Sequence, residues 1–148
     1  ACLLLSTDLY RLEQYEEAYE IALLGVKNGV TLCRFLAARE MSRQGRNLAD
    51  IEATIGTITP AEQKKYLVNS IMGEIYQNAG DYPKAIDYYR LADENNEFKN
   101  IRPKEKLFRI YLLLHDKEKA EKLGNQIIDL THDENVIAEI IYSLQTMP

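Results

Sequence analysis

The sequence predicts an all-α chain built from stacked helix pairs. Three observations predict it. A motif returns after about 35 residues, helix start and stop signals keep the same spacing, and no stretch combines strict two-residue alternation with β-branched or aromatic enrichment. Nine helices and no strands are expected. Hydrophobic residues at 46% and charged residues at 28% are ordinary globular values, while 7 Gly and 4 Pro leave little for loops. The 148 residues fit one domain, 1–148, long enough to bury a core without disulfide or metal staples.

The clearest copy of the motif runs from Gly73 to Ala92 as two amphipathic helices around Gly80-Asp81. Small Gly73 and Ala85 let antiparallel backbones approach, and Tyr76, Ile86 and Tyr89 fill the groove around them. Gly80 ends the first helix at its C′ position. Asp81 is a good N-cap for the second, whose early Pro83 lacks a donor that the first turn could not use.

Tyr111 and Ala120 repeat the spacing of Tyr76 and Ala85 at an offset of 35. Upstream, Gln14-Tyr15-Glu16-Glu17-Ala18 echoes Asp81-Tyr82-Pro83-Lys84-Ala85 at 67, close to two periods, and implies a copy between them. Leu36 through Gly45 supplies it, with Ala38 in the place of Gly73. Copies are expected at 1–30, 31–59, 60–99 and 100–132, followed by a capping helix at 133–147.

Local signals agree with that period. Thr59-Pro60-Ala61-Glu62 has the form of a capping box and predicts a helix from Pro60 to Ala79. Asn47 with Asp50, Arg102-Pro103, Asp116 and Asp133-Glu134 mark further starts. Ile137, Ile140, Ile141 and Leu144 give the last helix an apolar face suited to closing a stack.

Gly73, Tyr76, Gly80, Tyr82, Ala85, Tyr89 and Ala92 together resemble the small-and-aromatic pattern of the tetratricopeptide repeat. The resemblance implies a right-handed α-α superhelix of about four antiparallel helix pairs plus a C-terminal capping helix. It also implies a concave groove, lined by the first helix of each pair, that holds a peptide segment or partner helix. Some copies depart from the pattern. Asp50 stands where the third copy has Ala85, with Ala49 one residue early; the fourth has Phe108 in the small-residue slot and His115 in the turn.

Catalytic constellations are not evident. His115 and His132 have no ligand spacing and are expected in surface turns, and Cys2 and Cys33 are expected to pack in the interior. No phosphate loop, nucleophile elbow or His-Glu-x-x-His motif occurs. Adjacent carboxylates such as Glu16-Glu17 point about 100° apart on a helix and form no shared site. No reaction, cofactor or metal is therefore assigned. Tyr76, Tyr89 and Tyr111 are expected in the core.

The repeat register selects the side chains that face the groove: Tyr10 and Arg11, then Phe35, Arg39 and Ser42 with Arg43 beside them, then Ser70, Glu74 and Gln77, then Arg102, Glu105 and Arg109. Arginine outnumbers carboxylate on this stripe although the net charge is −5. The stripe reads either as a solvated groove edge or as a surface for an acidic peptide or a terminal carboxylate, since guanidinium pairs bidentately with carboxylate. Repeats that clamp a terminal carboxylate use Lys and Asn at set positions, two of which are Phe35 and Ile71 here, so that activity is not carried over.

The expected function is a protein-protein interaction module or scaffold. The alternative is a sensory or assembly repeat domain of a larger bacterial regulator, sensor kinase or membrane-bound polymerase, because the chain starts without Met on an apolar run. The acidic balance argues against nucleic acid as partner, and no apolar run reaches the ~18 residues of a membrane span. Cytoplasm and periplasm both remain open.

Overall fold

The computed structural model describes residues 2–148, with side chains from Leu4 onward, so the expected packing of Cys2 lies outside the described residues. Among the described residues the chain is helical, without strands: α1 (Cys2–Arg11), α2 (Tyr15–Lys27), α3 (Cys33–Arg43), α4 (Leu48–Ile55), α5 (Tyr66–Asn78), α6 (Tyr82–Glu94), α7 (Arg102–Leu113), α8 (Lys117–Leu130) and α9 (Glu134–Gln145). A single 3-10 turn, Glu62–Lys64, precedes α5. Each of α1, α3, α5 and α7 packs against the helix that follows it. Further packing joins α2 to α3, α3 to α5, α6 to α7 and α8 to α9.

One turn geometry recurs between the paired helices. Glu13, Gly45, Gly80 and His115 all have positive φ, at 61, 71, 79 and 56°. At each site the amide of the following residue reaches back to close a six-residue ring: Gln14 to Leu9, Arg46 to Met41, Asp81 to Tyr76 and Asp116 to Tyr111, at 2.9–3.0 Å. A shorter bond lies inside it, from Glu13, Gly45, Gly80 and His115 to the carbonyls of Tyr10, Ser42, Gln77 and Leu112. These are Schellman turns, which satisfy the last carbonyls of the first helix. Glycine accepts the left-handed conformation freely. Glu13 and His115 hold it at a cost of about 1 kcal/mol each. Asp81 and Asp116 then cap α6 and α8 in the same way, each accepting from the amide three residues on at 3.2 Å.

The core runs from Ala22 in α2 to Ile140 in α9. Phe35, Leu36, Ile71, Ile75, Ile110 and Ile127 are fully buried in it, and Cys33 is buried as expected. Tyr76, Tyr89 and Tyr111 are buried too, with their hydroxyls bonded to Glu52, Gln77 and Arg90 at 2.9, 2.7 and 3.0 Å. The space above Gly73 holds the Tyr89 ring rather than a neighbouring backbone: a Cβ there would lie 2.6 Å from Tyr89 Cε1. At Gly124 the added atom would meet Ile140, Leu144 and Phe108 at 3.0–3.2 Å, and there α9 closes on α8. Ile140 is buried, but Ile141 is 42% exposed, so the apolar face of α9 is narrower than expected.

The predicted helix from Pro60 to Ala79 is interrupted. The capping box forms, with Glu62 N–H donating to Thr59 Oγ1 at 3.2 Å and Thr59 N–H donating to Glu62 Oε1 at 3.0 Å. The helix does not propagate, because Lys65 is extended at φ −94°, ψ 126° and α5 starts only at Tyr66. Arg34 is the physical reason. Its guanidinium donates to Glu62 Oε1 at 2.9 Å, to the Ile55 carbonyl at 2.6 Å and to the Thr57 carbonyl at 2.9 Å. That side chain ties the end of α4 and the 3-10 turn to α3. Asn69 closes the gap from the other side, its amide donating to the carbonyls of Gln63 and Lys65.

Candidate partner-binding face

The recurring turns fix which residues are equivalent along α1, α3, α5 and α7. Counting back from Glu13, Gly45, Gly80 and His115, one row is Thr7, Arg39, Glu74 and Arg109. A second is Tyr10, Ser42, Gln77 and Leu112, and a third is Arg11, Arg43, Asn78 and Leu113. Each row lies on one side of its helix, since residues three and four apart are surface neighbours. The second and third rows are polar on α1, α3 and α5 and turn apolar at α7, while the first keeps a charge there in Arg109.

A polar and aromatic cluster joins α1, α3 and α5. Tyr10 donates its hydroxyl proton to Glu74 Oε1 at 2.8 Å across 64 residues of chain. The Arg39 guanidinium lies 3.4 Å from the centre of the Tyr10 ring, and Arg43 lies 3.2 Å from that of Tyr15. The two tyrosines meet edge to face at 5.5 Å, so both cations rest on one aromatic corner. Arg39 is 5% exposed. Its Nε approaches Glu40 Oε1 at 3.4 Å, and its Nη2 is buried without a hydrogen-bond partner among the described residues. Burial pulls the Arg39 guanidinium below its ordinary value and pushes the Glu40 carboxyl above its own, each partly opposed by the other's charge. The Tyr10 phenol is pushed up, first by burial and then by Glu74.

This geometry sorts the residues that the register selects. Phe35 is fully buried in the core, with Arg34 stacked on its ring at 4.4 Å, and cannot line a groove. Arg39 and Ser42 are also buried; Ser42 accepts a bond from Asn78 at 3.1 Å. Ser42 thus joins α3 to α5, and Arg39 joins α3 to the Tyr10 ring of α1. Arg43 is exposed, makes no ion pair among the described residues, and places its guanidinium over Tyr15. Ser70, Glu74, Gln77 and Glu105 are half-buried. Arg11 is exposed and 3.9 Å from Asp8. Arg102 is exposed at the start of α7, away from the cluster in sequence and in register.

Gln77 and Arg109 come together at the other end of the face. With Leu112, Leu113 and His115 they line an open pocket of about 500 Å³ between the ends of α5 and α7. Leu113 is 58% exposed, and Arg109 has a long contact of 3.8 Å to Glu139. Leu112, Leu113 and His115 were missed as site residues. Leu112 sits one period after Gln77 and two after Ser42, so the signal was available in the register.

The pocket offers an aliphatic floor with a guanidinium at its rim, which suits an apolar side chain beside a carboxylate. No group of three or more His, Cys, Asp or Glu is placed to hold a metal ion among the described residues. No helix among them is long and apolar enough to cross a membrane. No family model, curated protein or solved structure matches the chain.

Proposed function

We propose that this chain is a tetratricopeptide-type binding module that holds a protein segment across the face built by α1, α3, α5 and α7. In this proposal α1–α2, α3–α4, α5–α6 and α7–α8 stack as four antiparallel pairs in a right-handed superhelix closed by α9. The recurrent turns support the repeat, because equivalent residues precede Glu13, Gly45, Gly80 and His115 with the same bonding at each. The first helices α1, α3 and α5 pack side by side as such a stack requires, while α7 joins it through α6 and leaves an opening beside the end of α5.

The meeting of Gln77, Arg109, Leu112 and Leu113 in one pocket carries the functional proposal. Gln77 of α5 and Arg109, Leu112 and Leu113 of α7 contribute to it, and exposed Arg43 of α3 occupies the register position of Leu113. The partner segment is acidic and carries an apolar side chain: carboxylates meet Arg43 and Arg109, and the apolar group covers Leu112 and Leu113. Arg39 supports the face from below. Such a role needs no reacting groups.

The test is a panel of synthetic peptides containing glutamate and leucine, measured by fluorescence anisotropy at low and high salt. Tight binders should weaken with salt and lose at least tenfold in affinity to the Arg43→Glu/Arg109→Glu variant. Affinity indifferent to both changes contradicts the proposal.

A further inference from the structure

Phe98 is 92% exposed, the most exposed of the large apolar side chains among the described residues, on the connection between α6 and α7. Its loop is tied down. The Asn96 side chain holds the Asn100 main chain at both ends, its Nδ2 donating to the Asn100 carbonyl and its Oδ1 accepting from Asn100 N–H at 3.0 Å. Lys99, at φ 48°, donates its N–H to the Asn96 carbonyl at 3.1 Å. Asn100 Oδ1 accepts from Arg102 N–H at 2.9 Å and joins the loop to the start of α7. A large apolar ring held outward by a pre-ordered loop loses little freedom on docking, which is the condition for an interface anchor.

Nothing in its own chain can cover this ring with the pocket at the far end of α7. That helix has 12 residues and separates loop from pocket by about 18 Å. The two features are nevertheless complementary in charge and apolar character. Glu97-Phe98 places a carboxylate beside an aromatic ring, and the pocket places the Arg109 guanidinium beside Leu112 and Leu113. A volume of about 500 Å³ leaves ample room for one phenyl group.

We propose that Phe98 of one copy seats in the Leu112–Leu113 pocket of a second copy, with Glu97 facing Arg109, so that copies join head to tail. The joint uses different surfaces on its two sides and leaves a free ring at one end and a free pocket at the other, so assembly is open-ended. It rests on the same pocket as the proposed function and names one occupant of it. Self-association therefore competes with a partner segment.

Sedimentation velocity over rising concentration, up to about millimolar for so small a contact, tests this. The unmodified chain should gain mass without stopping at a dimer. Phe98→Ala and Leu113→Asp, both at exposed positions, should each remain monomeric with unchanged circular dichroism. Mixed in equal amounts they should form a species of twice the monomer mass and nothing larger, because the first keeps its pocket and the second keeps its ring. A chain that stays monomeric throughout, a Phe98→Ala variant that still associates, or a mixture that remains monomeric overturns the proposal. Peptide binding by a chain that never self-associates would leave the proposed function standing and remove only this inference.

Discussion

Tyr10 in α1 donates a hydrogen bond of 2.8 Å to Glu74 in α5, while the Arg39 guanidinium of α3 lies against the same tyrosine ring at 3.4 Å. One phenol thus connects three helices that the chain visits far apart. Tyr10→Phe keeps the ring beneath Arg39 and removes only the hydroxyl, leaving a half-buried carboxylate one donor short. Urea unfolding should show a loss of about 1.5 kcal/mol. No change in midpoint would mean that the bond adds nothing to the joint.

The same phenol makes stability sensitive to alkali. Burial, assisted by the neighbouring carboxylates, raises Tyr10, Tyr76 and Tyr89 above the ordinary tyrosine value of 10.0. A group raised on folding contributes fully below its unfolded value and loses that contribution as pH climbs past it. The urea midpoint should therefore fall above about pH 10, and less steeply in Tyr10→Phe. A midpoint equally steep in both proteins contradicts the assignment to Tyr10.

Arg39 and Arg43 stand four residues apart and should behave differently. Arg39→Ala leaves buried Glu40 without its cation and empties the space against Tyr10, which should cost about 3 kcal/mol. Arg43→Ala removes an exposed stacking contact, worth about 0.5–1 kcal/mol. Thermal unfolding of the two variants side by side decides the matter; equal losses would place both arginines in the same role.

Acid sensitivity should centre on Glu62. The Arg34 guanidinium, helped by the amide and hydroxyl of Thr59, holds its carboxyl down at about 2. A depressed carboxylate contributes above its unfolded value and loses that contribution as pH falls toward the folded one, here from about 4.3 downward. Glu62→Gln should flatten the decline in stability across that window. An acid limb as steep as that of the parent chain would show that another carboxylate governs it.

Gly73→Ala gains helix propensity of about 1 kcal/mol, yet it drives a methyl into the buried Tyr89 ring, which would have to move from a contact of 2.6 Å. The clash should win, for a net loss of about 2 kcal/mol by chemical unfolding. A stabilised variant would show that the ring can swing aside.

Local patterns carried most of the helical organisation. Asp81, Asp116 and Asp133 cap the helices expected of them, and Gly45 and Gly80 close the turns, because caps and left-handed turns are decided within a few residues. The interruption near Pro60 was illegible because it depends on Arg34, 28 residues from Glu62, whose bonds cross between elements. Register likewise found the side of each helix but not its depth. Phe35 and Arg39 share the stripe with exposed Arg109, and they are buried because α3 is packed by α1, α2, α4 and α5 together. Leu112 was legible by its spacing from Gln77, and its apolar character concealed it among candidates chosen for charge.

Chemical-shift mapping of the isotope-labelled chain with a tight-binding glutamate- and leucine-containing peptide tests the proposed face most directly. The account predicts that the largest changes fall on Arg43, Gln77, Arg109, Leu112 and Leu113, with the outer helices α2, α4 and α6 little affected. Saturable binding whose changes cluster on those outer helices, leaving Gln77 and Arg109 unmoved, would contradict it.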